Sequence, residues 1–142
     1  MKIHIITLGE PKMKYAQAGF AEYIRRLYHY HPIRLTHIAD KNNDAAHFAQ
    51  AAGAAYKVAM VIDGTQLTSP QLAKFIEQRN QEGREVAFMI GGPDGLPYTT
   101  VSGADLQLSF SRLTFPHDLA MLVLAETLYR ASTIAAGQPY HR

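Results

Sequence analysis

Residues able to do chemistry collect at two places in this chain. The first is MIGGPDGLP, residues 89–97, where three glycines and two prolines follow an apolar run. Glycine lets backbone turn tightly or approach another group closely, and proline fixes the turn. Gly91 and Gly92 would therefore let a ligand touch backbone N–H and C=O with no Cβ in the way. The pattern is neither G-x-G-x-x-G nor G-x-x-x-x-G-K-[ST], and the loop holds no lysine or arginine, which argues against a triphosphate. One Gly-Gly-Pro taken alone is more often a plain strand-to-helix turn. The second place is the chain end, GQPYHR. Tyr140, His141 and Arg142 offer a phenol, an imidazole and a guanidinium, which can stack on a base, move a proton and pair with a phosphate. The same three residues also suit a polar tail that frays.

Other chemistries find little support. There is no cysteine, so a disulfide framework, a thiolate metal site and a thiol nucleophile are all excluded. His29-x-His31 and His37 could supply imidazoles, but no carboxylate completes a spaced metal cluster. Neither G-x-S-x-G nor H-E-x-x-H occurs. Glu126 lies within an apolar stretch and reads as a paired structural carboxylate or a dimer contact.

The elements that must position these residues alternate between strand and helix, the pattern of an α/β fold with a mainly parallel sheet and flanking helices. Strands are expected at 2–8, 33–39, 57–62, 85–90 and 105–110. Helices are expected within 12–30, over 44–56 from an Asp44 cap, and from a Ser69 N-cap with Pro70 at N1 to Gly83. A short helical piece falls near 97–103. The last helix, 117–136, is apolar nearly all round, so more than one side should be covered, with a second copy of the chain as one cover. In such sheets ligands bind beyond the carboxyl ends of the strands. Three loops fall there: IDGTQLTSP, IGGPDGLP and SRLTFPHD.

A chain of 142 residues, 47% hydrophobic and 18% charged, suits one globular domain spanning 1–142. No run approaches a membrane span, and the opening MKIHIITLGEPK reads as a first strand rather than a secretion signal, so a cytoplasmic location is expected. The net charge of +2 is unevenly spread: residues 1–60 hold eight Lys/Arg against four acids, and residues 61–142 hold six against eight. A mildly basic N-terminal half could face a polyanion, although ordinary solvated charge fits as well.

Three stretches carry a family resemblance: GREVAFMIGGPDGL (83–96), LTFPHDLAMLVLAETLYRASTI (113–134) and the terminal PYHR (139–142). With GFAEYIRRL (19–27), they resemble the SPOUT-class ribosomal RNA large subunit methyltransferase H family, the 23S rRNA pseudouridine N3-methyltransferases. The resemblance implies a trefoil knot in the C-terminal part, a homodimer, S-adenosylmethionine as cofactor, no metal, and a pseudouridine of 23S rRNA in the assembled ribosome as substrate. It matches Ile62, Gly92 and the run Ser111, Arg112, Leu113, Thr114, Phe115 and Pro116 to cofactor-contacting positions, with Gly91 shaping the same wall. It assigns Tyr140, His141 and Arg142 to the tail that approaches cofactor and target base, from the partner subunit, with His141 the candidate for proton transfer. The chain departs from the family pattern at Met121, where arginine is usual, at Ser132, where an aromatic is common, and in the less basic segment 40–50. These departures point to a lighter grip on phosphates. The other readings are a SPOUT enzyme acting on another RNA such as tRNA, a weakly catalytic cofactor-binding protein of the ribosome, and a flavodoxin-like phosphate-ligand protein.

Overall fold

A computed structural model describes residues 2–141. In chain order the elements are β1 (Ile3–Leu8), α1 (Lys14–Leu27), β2 (Ile33–Ile38), a 3-10 turn (Asp40–Asn42), α2 (Ala45–Ala52), β3 (Tyr56–Thr65), α3 (Ser69–Glu82), β4 (Val86–Ile90), α4 (Tyr98–Ser102), β5 (Leu106–Leu108) and α5 (His117–Ala135). The strands form one sheet in the order β2-β1-β4-β3-β5, and every pairing is parallel.

β1 and β4 are buried along their whole length, which is why both read as continuous apolar runs rather than alternating ones. Their side chains divide between two layers. Ile3, Ile5, Val86, Phe88 and Ile90 meet α1, α3 and α5, while Ile6, Leu8, Ala87 and Met89 meet Phe48 and Ala52 of α2. Two polar side chains of β1 are buried with them and find partners across the β1–β2 ladder. His4 Nε2 lies 2.6 Å from Thr36 Oγ1, and its Nδ1 accepts from Arg34 Nη2 at 2.9 Å. Arginine can only donate, so the ring proton sits on Nε2 and Thr36 is the acceptor. Thr7 Oγ1 donates to Gly9 O at 2.6 Å and lies 2.7 Å from His37 Nδ1, which must then be the donor.

α5 lies on the sheet between α1 and α3, and this accounts for much of its apolar surface. Met121, Leu124 and Leu128 are fully buried, each side chain worth roughly 1.5–3 kcal/mol. Leu119, Leu122 and Val123 stay half-buried on the outer side. Contact with α1 is close: a Cβ on Gly19 would sit 2.7 Å from Leu122 Cδ1. α1 has no side-chain cap of its own, since Met13 occupies the N-cap. Asp118 of α5 supplies one instead, its Oδ2 accepting from Lys12 N at 2.8 Å and Met13 N at 2.5 Å.

Several boundaries differ from expectation, each for a local reason. α3 is capped by Thr68, not Ser69. Thr68 Oγ1 accepts from Gln71 N at 3.2 Å and Gln71 Oε1 accepts from Thr68 N at 2.8 Å, a reciprocal box that places Ser69 first and Pro70 second in the helix. Pro70 is tolerated there because the N–H it lacks would have had no intrahelical partner. β5 covers three residues rather than six, and Ser109 N, just past its end, still donates to Thr65 O of β3 at 2.8 Å. β3 runs on to Thr65 but bulges: Met60 and Thr65 both align with Leu108. Asp44 does cap α2, accepting from His47 N at 2.9 Å, and Gly83 closes α3 at φ 68°.

The two departures on α5 also acquire a structural meaning. Met121 is fully buried, so the missing arginine is not lost from a solvent-facing surface. Ser132 is buried, donates to Leu128 O at 2.8 Å and lies 3.2 Å from His31 Nε2, so an imidazole from the α1–β2 turn packs where the side chain is small.

Candidate functional site

The three loops beyond the carboxyl ends of β3, β4 and β5 converge on a cavity of about 820 Å³. That volume is in the range of sites for small molecules and cofactors. Its first wall is the β3 bulge, where Ile62 stands 47% exposed although it belongs to a strand. Ser109 pins the bulge: its Oγ–H lies 2.7 Å from Ile62 O and 2.9 Å from Ser111 O.

The second wall is the glycine loop after β4. Gly95 N donates to Gly92 O at 2.9 Å, and Gly95 takes φ 77°, closing a tight turn. A Cβ on Gly91 would come within 2.4–2.6 Å of the Gly95 carbonyl group and Leu96 N, all backbone that cannot step aside. Gly91 is thus required first by the loop's own fold, and by that fold it shapes the cavity. A Cβ on Gly92 would meet only the end of the Leu8 side chain, at 2.7 Å.

The third wall is the run from β5 into α5. Leu113 N donates to Ser111 Oγ at 3.0 Å, turning the segment so that Ser111, Leu113, Thr114, Phe115 and Pro116 face the cavity. Leu113 is 72% exposed at the rim, a large apolar group left uncovered by the described residues. Arg112 is exposed and does not line the cavity, unlike the other residues matched with it.

Sequence reasoning passed over Leu96, Val101, Phe110 and His117, all of which line the cavity. The first three are ordinary apolar residues, and nothing in their types distinguishes them from core. His117 had a signal, an imidazole in a Pro-His-Asp turn. Its Nδ1 lies 3.4 Å from Asp118 Oδ1, and its Nε2 is buried without a hydrogen-bond partner. Burial works against the Asp118 carboxylate, but the Met13 and Lys12 N–H donors and His117 outweigh it and hold its pKa below the usual value. A charged Asp118 therefore ties the turn carrying His117 to the start of α1.

The tail lies elsewhere. Tyr140 packs edge-on against Tyr129, with ring centroids 4.7 Å apart, and the Arg130 guanidinium lies 4.9 Å from its ring centre. Its hydroxyl donates to Glu126 Oε1 at 3.2 Å, so it accepts from Tyr23 Oη at 3.3 Å. Burial, then the Tyr23 contact and the Glu126 charge, push the Tyr140 phenol well above its ordinary pKa. Glu126 is a paired carboxylate, as expected: Arg130 Nη2 and Nε donate to its Oε1 at 2.6 and 3.0 Å. His141 Nδ1 lies 3.2 Å from Arg130 Nη1 and must accept, which leaves the neutral ring's proton on Nε2. Neither Tyr140 nor His141 lines the cavity of its own chain. Arg142 lies outside the described residues.

A cavity with apolar walls, a glycine loop and no lysine or arginine in its lining suits a ligand with an aromatic and aliphatic body rather than a polyphosphate. Among the described residues no cluster of three or more His, Asp or Glu is placed to hold a metal ion, and no helix is long and apolar enough to cross a membrane.

Residues 1–141 match the family described as "Predicted SPOUT methyltransferase". Over 145 aligned residues the chain is 45% identical to a protein of Deinococcus deserti named "Ribosomal RNA large subunit methyltransferase H", covering 100% of both chains. It is 44% identical to the protein of that name in Deinococcus radiodurans, and 40% identical to the one in Stenotrophomonas maltophilia. Both matches cover 100% of this chain and 99% of the relative. Among solved structures, a "probable methylase family protein" from Haemophilus influenzae superposes with a TM-score of 0.58 at 12% identity, over 99% of this chain and 70% of that one. A "probable methyltransferase" from Bordetella pertussis gives 0.57 at 12% identity, over 92% and 95%. These two share the fold.

Proposed function

The chain belongs to the SPOUT methyltransferases, in the ribosomal RNA large subunit methyltransferase H family, and from that membership we propose that it methylates N3 of a pseudouridine in 23S rRNA on the assembled ribosome. The observation that carries the reading is the cavity. Of the residues matched to cofactor-contacting positions, all but Arg112 line one recess beyond the carboxyl ends of parallel strands. Nothing comparable favours the phosphate-ligand reading.

The residues present fit S-adenosylmethionine. The glycine loop, through Gly91 and Gly92, and the run Ser111–Pro116 would hold the adenosine and methionine portions by backbone contacts, with Ile62, Leu113 and Phe115 as apolar walls. When bound, the cofactor supplies an electrophilic sulfonium methyl group. N3 would take that methyl group by direct displacement, with sulfur keeping the S–C electron pair, and the N3 proton would pass to a base of the protein. No covalent enzyme intermediate is needed, which suits a chain without cysteine. Much of the acceleration would come from holding N3 in line with the methyl group.

His141 is the proposed proton acceptor, with Arg142 compensating charge and Tyr140 anchoring the tail. In the arrangement described here His141 Nδ1 is engaged by Arg130, so it must release that contact before it can accept a proton. Because the tail stands away from its own cavity, the site would be completed by the tail of a second copy. A homodimer through the outer side of α5, where Leu119, Leu122 and Val123 remain half-buried, would bring tail and cavity together. The C-terminal part would carry the trefoil knot, residues 1–142 would act as one domain, and a ribosomal substrate would place the protein in the cytoplasm.

Co-expressed mixtures test the composite site. A His141→Ala chain and a second chain with a disabled cavity should each be nearly inactive alone. Mixed, they should recover about a quarter to a half of the wild-type single-turnover rate, because each mixed dimer keeps one intact site. No recovery, from proteins shown to exchange subunits, would contradict it.

A further inference from the structure

Away from the cavity, the C-terminal ends of α1 and α5 enclose a second recess, of about 420 Å³, lined by Arg26, His29, Tyr30, Tyr129 and Gln138. No carboxylate lines it, and each of its five side chains carries a hydrogen-bond donor. Glu22 Oε2 accepts from Arg26 Nε at 2.7 Å, and the same guanidinium interacts with the Tyr129 hydroxyl. Tyr23 and Tyr129 flank the same guanidinium, whose carbon lies 5.3 and 5.5 Å from their ring centres, so it is held in place. The Tyr30 hydroxyl donates to Gln138 Oε1, so the side-chain amide of Gln138 keeps its two N–H groups as donors. His29 is exposed and adds an imidazole at the rim.

A guanidinium held by Glu22, an amide and an imidazole around an open recess with no acid in its lining suit an oxyanion, because charge-assisted donors favour phosphate oxygens. We propose that this recess takes one backbone phosphate of the RNA substrate, next to the tail that carries Tyr140 and His141. The inference rests on the reading of the chain as an rRNA methyltransferase and adds a phosphate-binding subsite to it. It also answers the lighter basic content of segment 40–50, since a placed arginine can hold a phosphate that scattered lysines would otherwise attract.

The test is filter binding of ribosomes lacking the modification over a potassium chloride series at fixed magnesium. Loss of one phosphate contact should reduce the slope of log affinity against log salt by about 0.7–0.9. Arg26→Gln should show that reduction, and Arg26→Lys should retain the wild-type slope. Gln138→Leu, which removes neutral donors, should weaken binding roughly threefold or more at unchanged slope. His29→Glu places a carboxylate at an exposed position where folding is not at issue, and should weaken binding most at low salt. Cofactor affinity by calorimetry should be unchanged in all four. Wild-type affinity and slope in both Arg26→Gln and His29→Glu would overturn the phosphate subsite while leaving the methyltransferase reading intact. A wild-type protein that binds cofactor but neither binds nor methylates ribosomes would overturn that reading, and the subsite with it.

Discussion

Gly91 and Gly92 are neighbours in sequence with different obligations. Alanine at 91 would drive a Cβ into the Gly95 and Leu96 backbone, whereas alanine at 92 meets a flexible leucine tip. Gly91→Ala should cost about 1–3 kcal/mol in urea unfolding and abolish measurable cofactor binding in calorimetry. Gly92→Ala should cost under about 1 kcal/mol and weaken the cofactor without abolishing its binding. Equal effects at both positions would contradict the loop geometry. His4 makes a second residue-scale prediction. Its pKa falls from 6.5 to about 4, chiefly through burial and then through the charges of Arg34 and Lys2, with the Glu85 carboxylate 3.7 Å from Nδ1 too weak to reverse it. The unfolded chain therefore takes up a proton that the folded chain refuses, so stability rises with pH across that window. Between pH 6.5 and 4 the fold should lose about 3 kcal/mol from this group, read by urea unfolding, and the His4 ring resonances should not titrate above pH 5.

At the scale of elements, the contact that matters most for the site is the one from α5 to the start of α1. Asp118→Ala would leave the Lys12 and Met13 N–H groups without their acceptor and free the turn that carries His117. We expect a loss of about 2–3 kcal/mol in unfolding free energy together with weaker cofactor binding, since the run Ser111–Pro116 leads directly into that turn. How much of this was legible in the sequence depends on whether the cause was local. β1 and β4 were legible because strands buried on both faces are continuous apolar runs, and Asp44 and Gly83 were legible because capping is a local signal. The Thr68–Gln71 box was equally local, but Ser69-Pro70 offered a competing start beside it. The β3 bulge was not legible, because it depends on Ser109 reaching back to Ile62 and Thr65 across the sheet. The cap on α1 was hidden for the same reason, since its acceptor lies more than a hundred residues away. Met121 read as the loss of a positive charge from the start of the last helix, and the packing of α5 between α1 and α3 shows it to be core.

For the whole molecule, the glycine loop and the 111–116 run are recognisable as a pair in the sequence, and all of the run but Arg112 shares one cavity with the loop. The tail was recognisable too, yet its distance from that cavity could not be read from spacing. The proposed second copy of the chain would close that separation, and sedimentation at micromolar concentration should show a dimer. The central claim is tested most directly by incubating the purified protein with methyl-labelled S-adenosylmethionine and ribosomes lacking the modification, then analysing the nucleosides of the RNA. Label in N3-methylpseudouridine from 23S rRNA is the predicted result. Label confined to another nucleoside or another RNA, or no label from a protein that binds the cofactor, would contradict it.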